Sequence, residues 1–188
     1  EIISSYFDNK LFNLHGTRLP QNRGGGGHSW HIMMGNKLGF CVLHLVDEGV
    51  DTGDIVSFDE YLYPPTCRKP IDYQKVYIEK NLNFVIDFIQ KYRASSLDLN
   101  VISQSEYFST YFPRLNTNLN GWIDWSMDPI EVERFICAFD EPYVGASTYL
   151  NGDIVRIKSV CLSSQDGIFH HFQSGIIYRK SEKWLCVC

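Results

Sequence analysis

Two apolar runs that break off into polar, glycine-bearing loops limit the possible folds of this chain most tightly. KLFNLHG, ending at Gly16, and KLGFCVLHLV, running into the acidic DEGVDTGD, each read as a buried strand that stops at a site. Between them lies TRLPQNRGGGG, whose proline and four consecutive glycines make a loop. HSWHIMMGNK then reads as a short helix closed by Gly35. IVSFDEYLYP alternates as a third strand and stops at Pro64 and Pro65. Strands and helices in this order give an α/β class. Adjacent parallel strands are expected, with their C-terminal loops delivered to one edge, where open sheets of this class hold ligands.

From Ile71 to Tyr92, Val76, Leu82, Val85, Ile86 and Ile89 recur at helical spacing, which predicts a long amphipathic packing helix without chemistry of its own. The polar, aromatic, aperiodic stretch QSEYFSTYFPRLNTNLNG reads as a linker. Beyond it, DWSMDPIEVERFICAF predicts a helix capped by Asp128 with Pro129 in its first turn. GASTYL, DIVRIKSVCL, GIFHHF, SGIIYRK and KWLCVC are short β-rich runs that predict a small antiparallel barrel or sandwich. His170 and His171 are expected on opposite faces of one strand. Two units follow, 1–120 with its linker and 121–188.

Composition narrows the function classes. At 188 residues and 44% hydrophobic, the chain has enough apolar material for one substantial core or two modest ones. No run approaches the roughly eighteen consecutive apolar residues of a membrane helix, and EIISSYFDNK lacks a basic region followed by an apolar stretch, so a cytoplasmic location is expected. The net charge is −5. Upstream of Gly121 there are 11 basic and 13 acidic residues, and downstream 6 and 9, so neither half carries the excess of Lys and Arg with which nucleic-acid binders neutralise phosphates. The six cysteines (Cys41, Cys67, Cys137, Cys161, Cys186, Cys188) are spread through apolar segments, which predicts buried thiols rather than a disulfide framework.

Asn13 and His15 stand two residues apart on a strand, so their side chains share a face, and Asp51 lies in the glycine-bounded loop after the next strand. An amide, an imidazole and a carboxylate are thereby expected in one cleft. Histidines near strand ends are more often structural than catalytic, so this triad by itself is a weak signal. Arg23 is expected to anchor its loop to a carboxylate such as Asp47, Gly24 to Gly27 to form a flexible substrate-facing loop, and Gly49 and Gly53 to permit tight turns. His28, His31 and His44 are assigned to surface or core. No metal is assigned, because too few further carboxylates surround DTGD for a calcium loop.

The longer strings carry more. NLHGTRLPQNRGGGGHSWHIMMGNKLGFCVLHLVDEGVDTGDIV resembles the active-site stretch of the folate-dependent formyltransferases, with an NxH strand end, a Leu-Pro-x-x-Arg-Gly loop and a D-x-G-x-DTG loop in that order. WIDWSMDPIEVERFICAFDEPYVGASTYLNGDIVRI resembles the C-terminal domain of methionyl-tRNA formyltransferase and of several sugar-nucleotide N-formyltransferases. The resemblance implies the C-terminal part of a Rossmann-like formyltransferase domain followed by a small β-rich, OB-like barrel. It also implies 10-formyltetrahydrofolate as formyl donor, Asn13, His15 and Asp51 as the catalytic triad, and Val50, Asp51 and Gly53 on the folate side. In this reading Asn13 and a protonated His15 stabilise the oxyanion, and Asp51 takes the proton of the attacking amine.

Family members carry a substantial nucleotide-fold segment ahead of the NxH strand, so the chain is expected to be a fragment, and WLCVC is short for the last barrel strands of the family. A nucleotide-linked amino sugar is the preferred acceptor, with tRNA ranked below it and a homodimer left open. Methionyl-tRNA formyltransferase, a formate-releasing hydrolase and a non-catalytic binding module are the competing readings.

Overall fold

A computed structural model of the protein describes residues 11–94 and 101–188. Lys10, the first residue of the KLFNLHG run, and the N-terminal stretch before it lie outside the described residues. Strands β1 (Phe12–His15), β3 (Leu38–Leu45) and β4 (Ile55–Leu62) form one sheet in the order β1-β3-β4. Both pairings are antiparallel, with Asn13 opposite His44 and Cys41 opposite Asp59. The parallel arrangement expected from the strand-and-loop pattern is therefore corrected. The chain turns back after β3, and the 46–54 loop is short enough to join antiparallel neighbours, whereas a parallel pair needs a crossover of a dozen residues or more.

Helix α1 (Gly27–Met33) ends as its sequence predicts. Gly35 takes a φ of 64°, and the Gly35 and Asn36 amides donate to the Ile32 and His31 carbonyls, satisfying the last turn. Helix α2 (Pro70–Arg93) spans the predicted segment, but its inner face differs from the aliphatic stripe. Tyr73, Asn81 and Phe84 are buried, with Val76 and Val85 packed beside them, while Leu82, Ile86 and Ile89 are exposed. Aromatic rings, which the aliphatic count passed over, bury the larger apolar area, and they set the rotation of the helix.

The linker is also more ordered than expected. A 3-10 turn (Glu106–Phe108) leads into β5 (Tyr111–Phe112), which pairs in parallel with β2 (Arg23–Gly24), and Trp30 stacks on Phe112 while its indole donates to the Pro113 carbonyl at 3.0 Å. The glycine run is thus pinned at its start by a β-bridge and at its end by α1. Gly24 is required there, because it has a φ of 93° and an added Cβ would lie 2.4 Å from the Phe112 carbonyl oxygen.

After α3 (Thr117–Asn120), helix α4 (Pro129–Ala138) begins as predicted, with the Asp128 carboxylate accepting from the Ile130 amide at 2.8 Å. Ile136, Cys137, Ala138, Phe139 and Ala146 join Ile32, Cys41, Tyr63 and Tyr73 in one core, so residues on both sides of Gly121 share it. The last strands are β6 (Ala146–Leu150) with β7 (Asp153–Ile157), turned by Asn151 and Gly152 at positive φ, and β8 (Ile177–Lys180) with β9 (Leu185–Val187). Among the described residues these are two separate hairpins and the sheet does not close. His170 and His171 correct another expectation. His170 caps a 3-10 turn (His171–Gln173), its ring accepting from the Phe172 amide, so neither lies on a strand. All six cysteines are free thiols, with Cys41, Cys67 and Cys137 buried and Cys161 exposed.

Asp140 locks this core to the start of α2. Its fully buried carboxylate accepts from the Ser159 and Glu141 amides, both at 2.7 Å, and lies 3.3 Å from the Lys69 ammonium. Burial opposes its charge, but these donors prevail and hold it below the usual carboxylate range. Asp140→Ala strands two amides and a partly buried ammonium, and should lower the unfolding free energy by about 2–3 kcal/mol in urea titrations.

Candidate active site

The site forms where the 46–54 loop folds back over the sheet. Asn13 and His15 share a face of β1, and the antiparallel register sets His44 of β3 directly across from Asn13. A register shift between Leu43 and His44 turns the end of β3. Asp51 adopts a φ of 54°, a left-handed conformation that Asp and Asn tolerate better than most side chains. Its carboxylate meets all three residues: Oδ2 lies 3.5 Å from His15 Nδ1, and Oδ1 lies 3.5 Å from His44 Nε2 and accepts from Asn13 Nδ2 at 3.3 Å. The Gly24 amide donates to Oδ2 at 2.9 Å, so the glycine loop ends at the same carboxylate.

The hydrogen bonds fix both imidazole tautomers. His15 Nε2–H donates to the Asn22 carbonyl at 2.9 Å and lies 2.6 Å from Thr17 Oγ1, whose own hydroxyl donates to Asn22. His44 Nδ1–H donates to the Leu45 carbonyl at 2.8 Å, leaving Nε2 to accept from Asn13 Nδ2 at 3.1 Å. Burial pushes the His15 pKa below its ordinary value, outweighing the Asn22 carbonyl and the Asp51 charge, which pull it up. At rest near neutral pH the His15 ring therefore favours its neutral form, with Nδ1 facing the carboxylate, and the protonated ring expected for the oxyanion belongs to the reaction.

Asn13, His15 and Asp51 are thus brought together as the sequence predicts, and two further residues join them. His44, assigned to surface or core, is buried and bonded to Asn13; an antiparallel alignment of the two apolar runs is the signal that would have revealed it. Gln104, in the apparent linker, is the second. Its amide donates to the backbone carbonyls of Asp51 and Gly53 at 2.9 and 2.6 Å, and its oxygen accepts from Arg23 Nε and Nη2. No sequence signal marked it. Arg23 is buried and structural, but its carboxylate partner is Glu106, at 2.6 Å, and not Asp47, which instead accepts from the Gly49 amide and the Thr52 hydroxyl.

On the folate side, Val50 is 57% exposed, while Gly53 is buried against β3. Gly53 does not serve a left-handed turn. An added Cβ would lie 1.9 Å from the Leu45 carbonyl oxygen, so it permits a close approach of backbones.

Residues 1–63 match the formyl transferase family model, and residues 117–188 match that of the formyl transferase C-terminal domain, so the chain belongs to the formyl transferases. The bifunctional polymyxin resistance protein ArnA of Wigglesworthia glossinidia brevipalpis is 30% identical over 144 residues, 74% of this chain and 21% of that protein. A methionyl-tRNA formyltransferase of Agathobacter rectalis is 25% identical over 176 residues, 91% of this chain and 55% of that protein. Among solved structures, the N-formyltransferase from Helicobacter canadensis, in complex with folinic acid and dTDP-3-aminofucose, superposes with a TM-score of 0.59 at 25% identity, covering 70% of this chain and 48% of that one. HypX from Aquifex aeolicus shares the fold, with a TM-score of 0.68 at 21% identity over 94% of this chain and 30% of its own. The chain spans about half the length of the methionyl-tRNA formyltransferase and a fifth of ArnA.

Two outcomes follow from this geometry. In histidine NMR titrations His15 should titrate below the usual imidazole range, and lower still in Asp51→Asn, because the carboxylate that favours the protonated ring is gone. Gly53→Ala should cost roughly 1–3 kcal/mol in urea unfolding, since the loop must move off the Leu45 carbonyl.

Proposed function

We propose that the protein transfers a formyl group from 10-formyltetrahydrofolate to a primary amine, with Asn13, His15 and Asp51 as the catalytic groups. The convergence of these three side chains, within the segment that matches the formyl transferase family model, carries the reading. The amine nitrogen attacks the formyl carbon, a tetrahedral intermediate forms, and the bond from carbon to the folate nitrogen breaks. Asp51, directly or through a water, takes the proton that the amine loses. Asp51 passes that proton on to His15 Nδ1, 3.5 Å away, making an imidazolium beside the restored carboxylate that favours the developing oxyanion, and the same proton ends on the departing folate nitrogen. Asn13 Nδ2 at rest serves His44 and Asp51, so one of its hydrogens turns toward the formyl oxygen in this scheme.

Val50, Asp51 and Gly53 form the folate side of the site. The Asp51 and Gly53 carbonyls already accept from Gln104, which stiffens this edge and leaves their second lone pairs for the donor. The amine is best read as that of a nucleotide-linked amino sugar, the class of molecule bound with folinic acid in the Helicobacter canadensis structure, and the acidic balance favours it over tRNA. Residues 1–120 form the catalytic unit with its linker and 121–188 the β-rich, OB-like C-terminal unit. A cytoplasmic setting is part of the same proposal. None of the described helices is long and apolar enough to cross a membrane.

Formyl transfer to a nucleoside-diphosphate amino sugar and to charged initiator tRNA, assayed side by side, tests the reading, and transfer to the tRNA alone would reverse the choice of acceptor. In the active enzyme, Asp51→Asn should lower kcat/KM about a hundredfold or more while the circular dichroism spectrum stays unchanged. Asn13→Ala should raise the barrier by about 3 kcal/mol, the usual cost of losing one oxyanion donor.

A further inference from the structure

We propose that His15, His44 and Asp51 also form a binding site for a divalent transition-metal ion of the zinc type. Their ligating atoms all lie within 4.8 Å of one another. His15 Nδ1 lies 3.5 Å from Asp51 Oδ2 and His44 Nε2 3.5 Å from Asp51 Oδ1, so each imidazole nitrogen already faces its own oxygen of the carboxylate, within a small adjustment of the donor spacing of a zinc site. Two imidazoles and one carboxylate are also a common catalytic-type ligand set that leaves a fourth position open.

The hydrogen bonds behind the histidines make the stronger case. A metal-bound imidazole almost always donates its remote N–H to a carbonyl or carboxylate, which fixes the tautomer and aims the other lone pair at the ion. Both rings are already held this way, His15 Nε2 by the Asn22 carbonyl and His44 Nδ1 by the Leu45 carbonyl. The remaining nitrogens, His15 Nδ1 and His44 Nε2, face the same carboxylate. Three acceptors therefore meet around a point where the Asn13 amide and the Gly24 N–H are the donors. A cation relieves that excess of lone pairs more fully than one amide can. The side chains of His15 and Asp51 retain 10% and 14% exposure, which leaves the ion a way in from solvent.

Metal uptake does not depend on the proposed reaction. Its consequence does: an ion on His15 Nδ1 and Asp51 occupies the lone pair and the charge that formyl transfer uses, so zinc becomes a reversible inhibitor if the transferase reading holds.

The test is calorimetric titration of the chelator-treated full-length protein with Zn2+, paired with the visible absorption of the Co2+ complex. One ion per chain with a tetrahedral Co2+ spectrum is expected. His44→Ala and Asp51→Asn should each weaken binding about tenfold or more, and Asn13→Ala, which removes the competing N–H groups, should bind at least as tightly as the parent. Absence of stoichiometric uptake would overturn the site, as would affinity unchanged in both His44→Ala and Asp51→Asn, or binding lost in a Cys186→Ser/Cys188→Ser variant. Formyl transfer is assayed separately with and without Zn2+, so a protein that binds the ion but transfers no formyl group upholds the metal site and sinks the transferase reading instead.

Discussion

The carboxylate of Asp51 ties the 46–54 loop to the sheet beneath it and to the glycine run. It accepts from Asn13 on β1 and from the Gly24 amide at the head of the glycine run, and it faces one imidazole from each of the two strands beneath it. Its backbone is held in turn by Gln104, which also reaches Arg23. The left-handed conformation of Asp51 aims the side chain back over the sheet, and a buried Gly53 lets the loop settle onto the end of β3. Strain at one residue is offset by three donors, from Asn13, Gly24 and Gln104, which is how a sparsely populated backbone conformation persists at a site.

The placement of the site residues was legible in the sequence to the extent that it is local. Asn13 and His15 share a strand face by period alone, and helices α1 and α4 begin or end where Gly35, Asp128 and Pro129 say they should. What depends on pairing direction was not legible. Strand runs do not encode whether neighbours lie parallel or antiparallel, and that choice places His44 opposite Asn13. Gln104 was hidden for a related reason: its role is to cap backbone carbonyls some fifty residues upstream, and an exposed-looking glutamine in a polar stretch carries no period or motif.

The β-rich part shows the same limit. Asn151-Gly152 marks its hairpin plainly, since both positions need positive φ. Whether two hairpins then join edge to edge depends on long-range contacts that short alternating runs do not specify. Helix α4 is better determined, because its buried Val132 and Ile136 stand at helical spacing and, with Cys137 and Ala138 at its end, meet α1 and α2 in a shared core. That shared core couples the C-terminal part to the site mechanically: α1, which packs on α4, begins at the last residue of the glycine run that supplies the Gly24 amide to Asp51.

The electrostatics of His15 connect this scaffold to reactivity. Burial favours the neutral ring, while the Asp51 charge 3.5 Å away favours the protonated one, and the resting balance falls on the neutral side. A group held between opposing effects responds strongly to a modest change in either. In the proposed reaction, the amine proton relayed through Asp51, or water expelled by a bound ligand that strengthens the pull of Asp51, would shift the ring toward imidazolium. The separation matters in that account. A shorter, fully formed ion pair would commit His15 to its charged form before substrate arrived, and a longer one would leave nothing to hold the proton once it came.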